Sequence, residues 1–190
     1  MEVLPPDPSG ALAVVAFSGH AYVLAGVELD ELVARGADGF GGASKFDVVS
    51  WLAGPNGAIG SLDVVLVARG RGGVDGDRLA RRDDLDDHPR VQRAAHHRRD
   101  VEVYGDAFGL VVLGTGLAGR GELSVELLDP VDAGQGHGRR LIAAGLAQVA
   151  EAERCWAQVA PGNTASLRAF LAAGFVPVCS EVLIEPARQG

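Results

Sequence analysis

The sequence predicts an α/β (α+β) fold, in which an antiparallel meander is followed by strands that alternate with helices, and an extra α/β segment precedes both. Three β-rich runs, "VEVYGD", "FGLVVLGTG" and "GELSVELLD", are separated by Gly-containing turns, a pattern typical of a meander. Downstream, apolar residues recur at helical spacing in two stretches on either side of the short strand "CWAQVA". At 190 residues, the chain is long enough to bury a sizeable core.

Turn and cap residues predict the N-terminal elements. The run "ALAVVAFSGHAYVLAG" contains two β-rich stretches around Ser18-Gly19-His20 and predicts a hairpin. The stretch "ELDELVARG" predicts a short helix that ends at Gly36. Ser44 and Asp47 form a capping-box pattern at the start of a second helix, with Gly54 at its far end. The run "SLDVVLVARG" then predicts a buried strand.

The middle of the chain changes composition twice. Residues 69–82 are rich in glycine and charge, which makes them the best candidate for a boundary or a loop. In "DDLDDHPRVQRAAHHRRD", acids precede bases, as the helix dipole favours, and Pro89 fits an early turn. His96 and His97 would point about 100° apart on this helix, which disfavours a shared ion. We therefore expect a solvated, charged helix face and no metal.

The C-terminal half continues with helices and strands in alternation. In "GRRLIAAGLAQVAEAER" the apolar positions have helical spacing: Leu141, Ile142, Leu146 and Val149. The stretch "PGNTASLRAFLAAGF" predicts a helix that is capped near Asn163 and stopped by Gly174. "FVPV" and "SEVLIEP" predict two closing strands. The predicted order is therefore β-β-β-loop-α-β-α-β-β.

Composition excludes several classes of function. The apolar share of 47% and the charged share of 22% are those of a soluble globular protein, and the longest apolar runs have only the length of a strand. The stretch "MEVLPPDPSG" has no signal-peptide pattern, and two cysteines make no disulfide framework, so we expect a cytoplasmic protein. A net charge of -8 argues against a nucleic-acid partner.

The motif "VDAGQGHGRRLI" has glycines at every second position, and its spacing excludes two phosphate-binding loops. The dinucleotide fingerprint fails because Arg139 or Leu141 stands where its last glycine belongs. The nucleoside-triphosphate loop fails because the chain's one lysine, Lys45, lies far from the motif.

A third function for the glycines remains. A predicted strand runs into Asp129-Pro130, and a helix is predicted to begin at Arg139. Glycines between them would let a bulky anion such as a pyrophosphate approach the backbone N–H groups at the helix N-terminus. The alternative is a Gly-rich turn that binds nothing. The loop alone leaves both open.

A second motif resembles a known family when it is taken with the first. The matching positions are Leu128-Asp129-Pro130, then Gly136 and Gly138, then Asn163 and Ser166, then Gly174-Phe175. Together they resemble the V-x-P, R/Q-x-x-G-x-G/A and N-x-x-A/S-x-x-x-Y motifs, with the closing G-F, of the GNAT superfamily of N-acyltransferases. The resemblance covers roughly residues 100–187 and includes the order of strands and helices.

The resemblance implies a fold, a reaction and a division of the chain. It implies a mixed, mostly antiparallel central sheet flanked by helices, and the transfer of an acetyl or other acyl group from acetyl-CoA to a primary amine of a small molecule or peptide. Transfer would occur by direct attack in a ternary complex. We expect a GNAT-like domain over residues 83–190 and an N-terminal α/β subdomain of unknown role over residues 1–75; alternatively, the N-terminal elements supply the β-α-α-β start of the family fold. A homodimer is left open, and no membrane partner is expected.

The resemblance also implies a set of cofactor-binding residues. They are Leu128, Ala133, Gly134, Gln135, Gly136, His137, Gly138, Arg139, Asn163, Ser166 and Phe170. Two of them depart from the family pattern. Ala133 replaces the usual Arg or Gln, which leaves backbone N–H groups with Arg139 or Arg140 to hold the pyrophosphate. Phe170 replaces the tyrosine that usually protonates the departing thiolate, and phenylalanine cannot donate a proton. Tyr104 is a conceivable replacement donor.

Candidate catalytic residues come from the strand "GELSVELL". Glu122, Ser124 and Glu126 share one face of it, and such a polar stripe beside the proposed cofactor loop suggests a cleft. An amine needs to lose a proton before it attacks a thioester, and Glu122 is the first choice for the base, with Glu126 second. Alternatively, the face is simply solvated, the carboxylates pair with arginines, or they recognise a cationic acceptor.

Other residues have more ordinary interpretations. His137 either contacts phosphate or packs, and Cys155 and Cys179 are predicted to be small core residues. Trp51 and Trp156 are predicted to pack in the core. A non-catalytic acyl-CoA-binding or protein-interaction module remains the second functional hypothesis, and the replacements at Ala133 and Phe170 favour it.

Overall fold

The computed structural model describes residues 1–73 and 79–187, which contain eleven strands and five α-helices. In chain order these are β1 (Glu2–Leu4), β2 (Leu12–Phe17), β3 (His20–Leu24), α1 (Leu29–Val33), α2 (Phe46–Ala53), β4 (Ala58–Ile59), β5 (Asp63–Arg69), β6 (Ala80–Arg81), α3 (Pro89–His97), β7 (Arg99–Gly105), β8 (Gly109–Thr115), β9 (Gly121–Leu127), α4 (His137–Gln148), β10 (Arg154–Val159), α5 (Thr164–Ala172) and β11 (Val176–Glu185).

The chain divides into two compact units. The first comprises Met1–Val65 and Val178–Gly190, and the second comprises Leu66–Pro177. The boundaries fall inside β5 and β11. The predicted functional division into residues 1–75 and 83–190 stays a prediction. Residues 74–78, within the predicted boundary segment, and residues 188–190 lie outside the described part of the chain.

In the first unit, the predicted hairpin is confirmed. β2 and β3 are antiparallel, with Phe17 opposite His20 at the turn. β1 runs parallel to β3, and β11 runs antiparallel to β2. The core of this unit forms where α1 and α2 pack their apolar residues against the strands; its fully buried members include Val14, Val23, Leu32, Val48 and Ile184.

The second unit contains the predicted meander. β7, β8 and β9 are consecutive antiparallel strands, and the β8–β9 register runs from Gly109 opposite Leu127 to Thr115 opposite Gly121. β10 lies parallel to β9, so the sheet is mixed and mostly antiparallel, as predicted. α3 packs Val91 and Ala94 on one face of this sheet.

α4 covers the opposite face of the meander. A Cβ atom at Gly145 of α4 would lie 2.7 Å from Leu123 and 2.9 Å from Val111. The absence of a side chain at Gly145 therefore brings the helix close to β8 and β9. Leu141 and Ile142 on the same helix are fully buried. Because helices cover both faces, the predicted flanked sheet is confirmed.

Three local predictions were wrong. Ser44 does not cap α2: residues Gly42–Ser44 form a 3-10 turn, and Lys45 occupies the N-cap without a side-chain bond. α4 ends at Gln148, because Val149 is extended. The two predicted closing strands are one continuous strand, β11, which accommodates Pro177 at its second position. Proline is tolerated there because the start of a strand need not donate a ladder hydrogen bond.

Candidate functional site

The segment between β9 and α4 is a compact turn that directs the chain into the glycine motif. The Asp129 carboxylate accepts the Val131 N–H (2.9 Å), and the Ala133 N–H bonds to the Pro130 carbonyl (3.1 Å). At its start, the Leu128 N–H bonds to the Phe108 carbonyl (3.0 Å), which ties the segment to the β7–β8 turn. Leu128 and Ala133 thus contribute to the path of the backbone, and both are exposed.

Two of the three glycines in this motif have a backbone conformation that favours glycine. Gly134 and Gly136 have positive φ angles of 80° and 88°, a region that L-residues with side chains rarely adopt. Gly138 has no such angle, but a Cβ atom there would meet nothing within 4 Å, and the same holds for Gly134 and Gly136. All three positions therefore border open space. Gln135 lies between the first two and bonds through its amide to the Val131 carbonyl (3.1 Å).

The N-terminus of α4 offers backbone donors to this open space. Gly136 is the N-cap and supplies no side-chain bond. The Arg140 N–H bonds to the Gly136 carbonyl (3.1 Å), so the N–H groups of residues 137–139 precede the helical hydrogen-bond ladder. Such groups, with the positive end of the helix dipole, form an anion-binding site. α4 begins two residues before the predicted Arg139.

Side chains in the first turn of α4 fix its position. The His137 ring stacks on the Phe108 ring with centroids 3.9 Å apart and planes at 11°. Arg140 pairs with Asp106 (2.8 Å) and lies over the same Phe108 ring. His137 and Arg140 therefore attach the helix to the β7–β8 turn. Arg139 is exposed, and within residues 1–73 and 79–187 no carboxylate pairs with it, so its charge is available beside the glycines.

The residues predicted on α5 have structural contacts. The Asn163 side chain accepts the Ser166 N–H (3.1 Å), which is the predicted helix cap. Phe170 is buried and packs edge-on against Phe175, with ring centroids 5.0 Å apart. Gly174 ends the helix with a φ of 99°. Any contact of Asn163, Ser166 and Phe170 with a cofactor stays a prediction.

Glu122 is the centre of a buried polar cluster. Its Oε2 accepts from Arg98 Nε (2.8 Å), and its Oε1 accepts from Arg120 Nη2 (2.9 Å) and Gln158 Nε2 (2.6 Å). Only 5% of Glu122 is exposed. Gly116 has no side chain because a Cβ there would collide with this carboxylate. We name Glu122, Arg98, Arg120, Gln158 and Ser124 the β9 cluster.

These contacts bear on the predicted role of Glu122. Both carboxylate oxygens accept from donors, and these three hydrogen bonds leave about one of the four lone-pair positions of the carboxylate for a further proton. Glu126 also pairs with an arginine, Arg90 (2.6 Å), but both side chains are about one-third exposed. The pairing of the carboxylates with arginines, left open on the sequence, is thus what the structure contains. A role for either glutamate as base stays a prediction.

Arg98, like Arg120 and Gln158, is a member of the β9 cluster that the sequence did not predict. It directly follows α3 in a run of basic residues, where nothing in the sequence distinguishes it from its neighbours. Burial lowers the pKa of the Arg98 guanidinium, and the charge of Glu122 opposes that shift. Arg98 also donates to Ser124 Oγ (3.2 Å) and approaches Gln158 Oε1 (3.5 Å), so it links β9 to β10.

The β9–β10 ladder is short at this place. In the part of the chain that the structure describes, its register consists of one pair, Glu122 with Trp156, whereas β8 stays paired with β9 up to Leu127. β9 and β10 therefore part after Glu122, on the side that leads to the glycine motif. Among the described residues, no register pair joins β9 to β10 beyond Glu122.

The remaining candidates have local contacts. The Cys155 thiol is buried, and burial raises its pKa to about 12, which makes it inert. Tyr104 Oη bonds to Glu102 (3.1 Å). Trp51 and Trp156, both partly buried, lie beneath Arg35 and Arg120. Cys179 is half-buried, and the adjacent His96 and His97 are both exposed.

Six chains of solved structures are similar to this chain, and two of them come from the following proteins. An acetyltransferase of the GNAT family from Colwellia psychrerythraea aligns with 67% of this chain at 11% identity and a TM-score of 0.43; the match spans 57% of that protein. A GNAT-family protein from Novosphingobium aromaticivorans, assigned as an acetyltransferase, aligns with 71% of this chain at 15% identity and a TM-score of 0.47; the match spans 69% of that protein. Both belong to the family that the sequence resembles.

No protein-family model matches the chain. No curated protein matches it either. None of the helices within residues 1–73 and 79–187 is long and apolar enough to cross a membrane.

Proposed function

We propose that the protein is an N-acyltransferase that moves an acetyl or other acyl group from acyl-CoA to a primary amine of a small molecule or peptide. The observation that carries the proposal is the position of the glycine motif. It lies at the N-terminus of α4, directly after β9, on the side where β9 and β10 part. Backbone donors suited to an anion therefore follow β9 in the chain, and the β9–β10 pairing ends on that side.

The glycine motif suits a pyrophosphate. The N–H groups of residues 137–139 precede the helical ladder, and the space over Gly134, Gly136 and Gly138 is open. Ala133 stands where the family usually has Arg or Gln. In this chain Arg139 would supply the positive charge instead. His137 would serve by holding the helix against Phe108, since its ring is already stacked there. No metal is needed to bind a pyrophosphate through backbone donors.

The opening between β9 and β10 suits the acyl group. With the pyrophosphate at α4, the pantetheine arm would run along β9 toward the β9 cluster. The amine attacks the thioester carbonyl carbon, and the oxygen of the tetrahedral intermediate needs a donor. Main-chain N–H groups of β9 beyond Glu122 are candidates because the β10 ladder does not use that edge.

A second candidate function is a non-catalytic acyl-CoA-binding or protein-interaction module. Two observations favour it. Glu122 is engaged at both oxygens, and Phe170 is a buried phenylalanine with no proton to donate. In this case the glycine motif would still bind CoA, but no amine would be acylated.

The experiment is a titration of acetyl-CoA into the full chain by calorimetry, with desulfo-CoA and NAD as comparisons. We expect micromolar binding of acetyl-CoA and desulfo-CoA and none of NAD, followed by thiol release on addition of an amine. Binding without thiol release for any amine would favour the non-catalytic module. An absence of binding to every CoA species would contradict both candidates.

A further inference from the structure

Ser124 is the member of the β9 cluster that lies farthest along β9 toward the glycine motif. It lies two residues beyond Glu122 on the same face of β9, past the register pair of Glu122 with Trp156 that joins β9 to β10. Glu122 is buried, whereas Ser124 is half-buried. At about 3.3 Å per residue, Ser124 lies about 13 Å along the strand from Leu128, where the segment leading to the glycine motif begins. A pantetheine arm that runs from α4 along β9 would bring its sulfur near this hydroxyl.

The hydroxyl is oriented by Arg98. Arg98 Nη1 donates to Ser124 Oγ (3.2 Å), while Nε of the same guanidinium is held by Glu122 (2.8 Å). A serine oxygen that accepts from a guanidinium keeps a second lone pair, and its own proton is directed away from the donor. The Oγ atom can therefore accept one proton while it donates another.

We propose that Ser124 relays the proton of the attacking amine to the departing sulfur, an inference that rests on the acyltransferase function proposed above. The amine binds in its neutral form, having lost its first proton to solvent, and its lone pair forms the C–N bond while the carbonyl π pair moves to oxygen. When this oxygen re-forms the carbonyl, the C–S bond breaks and its electron pair goes to sulfur. Ser124 Oγ takes the ammonium proton as it gives its own proton to the thiolate.

The products are an amide and CoA thiol. Ser124 gains one proton and loses one, so its hydroxyl is regenerated. The relay needs neither a free Glu122 nor a hydroxyl at position 170. Ser124 is the catalytic residue in this scheme, and Arg98 is a positioning residue that acts through it. Glu122 in turn holds Arg98.

The test uses the full chain, acetyl-CoA and a panel of primary amines: amino acids, polyamines, aminoglycosides and a lysine peptide. Thiol release is measured for Ser124→Ala and Ser124→Thr with the best amine. We expect Ser124→Ala to lower kcat by about 10²- to 10⁴-fold. Its KM for the amine and its Kd for acetyl-CoA by calorimetry should stay within about twofold. Ser124→Thr keeps a hydroxyl and should retain kcat within about tenfold. The control is Thr115→Val, which removes a hydroxyl that contacts Asp100 on the neighbouring strand and should leave kcat unchanged.

Three outcomes would overturn the relay, and they differ from one another. An active wild type with an equally active Ser124→Ala variant leaves the acyltransferase function standing and removes the relay alone. A parallel loss of acetyl-CoA affinity and of kcat in Ser124→Ala, without rescue by threonine, makes Ser124 a structural residue. A wild type that binds acetyl-CoA but releases no thiol with any amine removes the acyltransferase function and the relay together.

Discussion

Arg98 is a buried charge whose lost hydration is offset by hydrogen bonds within the sheet. Its side chain is 10% exposed, and its partner Glu122 is 6% exposed, so both charges have lost most of their hydration. The loss is offset by direct bonds: Glu122 accepts from two arginines and a glutamine, and Arg98 also donates to Ser124. A buried cluster of this kind adds little net stability, but removal of Glu122 would leave two buried arginines without their shared carboxylate.

The first prediction compares two arginines that pair with neighbouring glutamates on β9. Arg98→Met should lower the free energy of unfolding by about 1–3 kcal/mol, because Glu122 keeps Arg120 as an ion partner but loses its hydrogen bond from the buried Arg98. Arg90→Met is the matched control. Its pair with Glu126 is about one-third exposed, so the loss should stay within about 1 kcal/mol. Urea unfolding measures both, and equal losses would contradict the difference in burial as the cause.

The second prediction concerns the predicted base. Glu122→Gln should destabilise the fold by about 3 kcal/mol, because Arg98 and Arg120 lose their shared carboxylate. The relay proposed for Ser124 predicts that the pH dependence of the remaining thiol release keeps its shape, because the Glu122 carboxylate takes no part in that proton transfer. The measurement is a pH–rate profile for Glu122→Gln, with Glu126→Gln as control. Loss of an acidic limb of the profile in Glu122→Gln alone would restore Glu122 as base.

At the scale of the elements, turn and cap residues correctly predicted the features that depend on only a few neighbouring residues. The hairpin, the meander, the Asn163 cap and the ends at Gly54 and Gly174 follow from turn and cap chemistry within a few residues. The capping box predicted at Ser44 does not form. Ser44 belongs to the 3-10 turn Gly42–Ser44, and this turn places Lys45 at the N-cap of α2. The predicted end of α4 was wrong because the apolar residues keep their helical spacing past Gln148, whereas the backbone at Val149 is already extended.

The site was predictable to the same extent. The glycine motif at the start of a helix, and the shared face of Glu122, Ser124 and Glu126, follow from spacing alone. The partners of the glutamates could not be predicted, because Arg98 and Gln158 reach Glu122 from other elements of the fold. One sequence carries no signal for contacts between residues that far apart. Arginine pairing could therefore be weighed as an alternative, but not assigned to particular arginines.

The third prediction tests the glycine motif as an element. Gly138→Asp places a carboxylate in the first turn of α4, where the helix dipole stabilises it by about 0.3–1 kcal/mol. The same charge occupies the open space proposed for the pyrophosphate, so acetyl-CoA affinity should fall by more than about tenfold, which corresponds to about 1.4 kcal/mol. Gly138→Ala should give a smaller loss. Calorimetry and thermal unfolding on the same samples measure the two effects.

The control for this prediction is Gly26→Ala, since Gly26 likewise has no positive φ and no atom within 4 Å of an added Cβ. It should change neither stability nor affinity by a measurable amount. A Gly138→Asp variant that binds acetyl-CoA as the wild type does would show that the pyrophosphate does not lie over this glycine.

For the whole molecule, net charge and the proposed ligand have the same sign. The chain carries -8 at pH 7, and CoA is a polyanion, so long-range electrostatics oppose their association. The attraction has to be local, from the N-terminus of α4 and from Arg139. The other cation in that turn, Arg140, is already paired with Asp106. This arrangement explains why backbone donors, rather than a basic surface, are the main binding groups in the proposal.

The fourth prediction is that acetyl-CoA bound at the N-terminus of α4 raises the melting temperature of the protein. A ligand that binds only the folded chain, at a concentration one hundred times its Kd, stabilises it by about 2.7 kcal/mol. For a domain of this length each kcal/mol raises Tm by about 2–4 °C, so acetyl-CoA should raise Tm by about 5–11 °C, and NAD at equal concentration should not. If melting shows two transitions, the shift should fall on the one that reports residues 66–177, because the glycine motif lies there. A shift confined to the other transition would place the ligand away from α4 and contradict the proposed site.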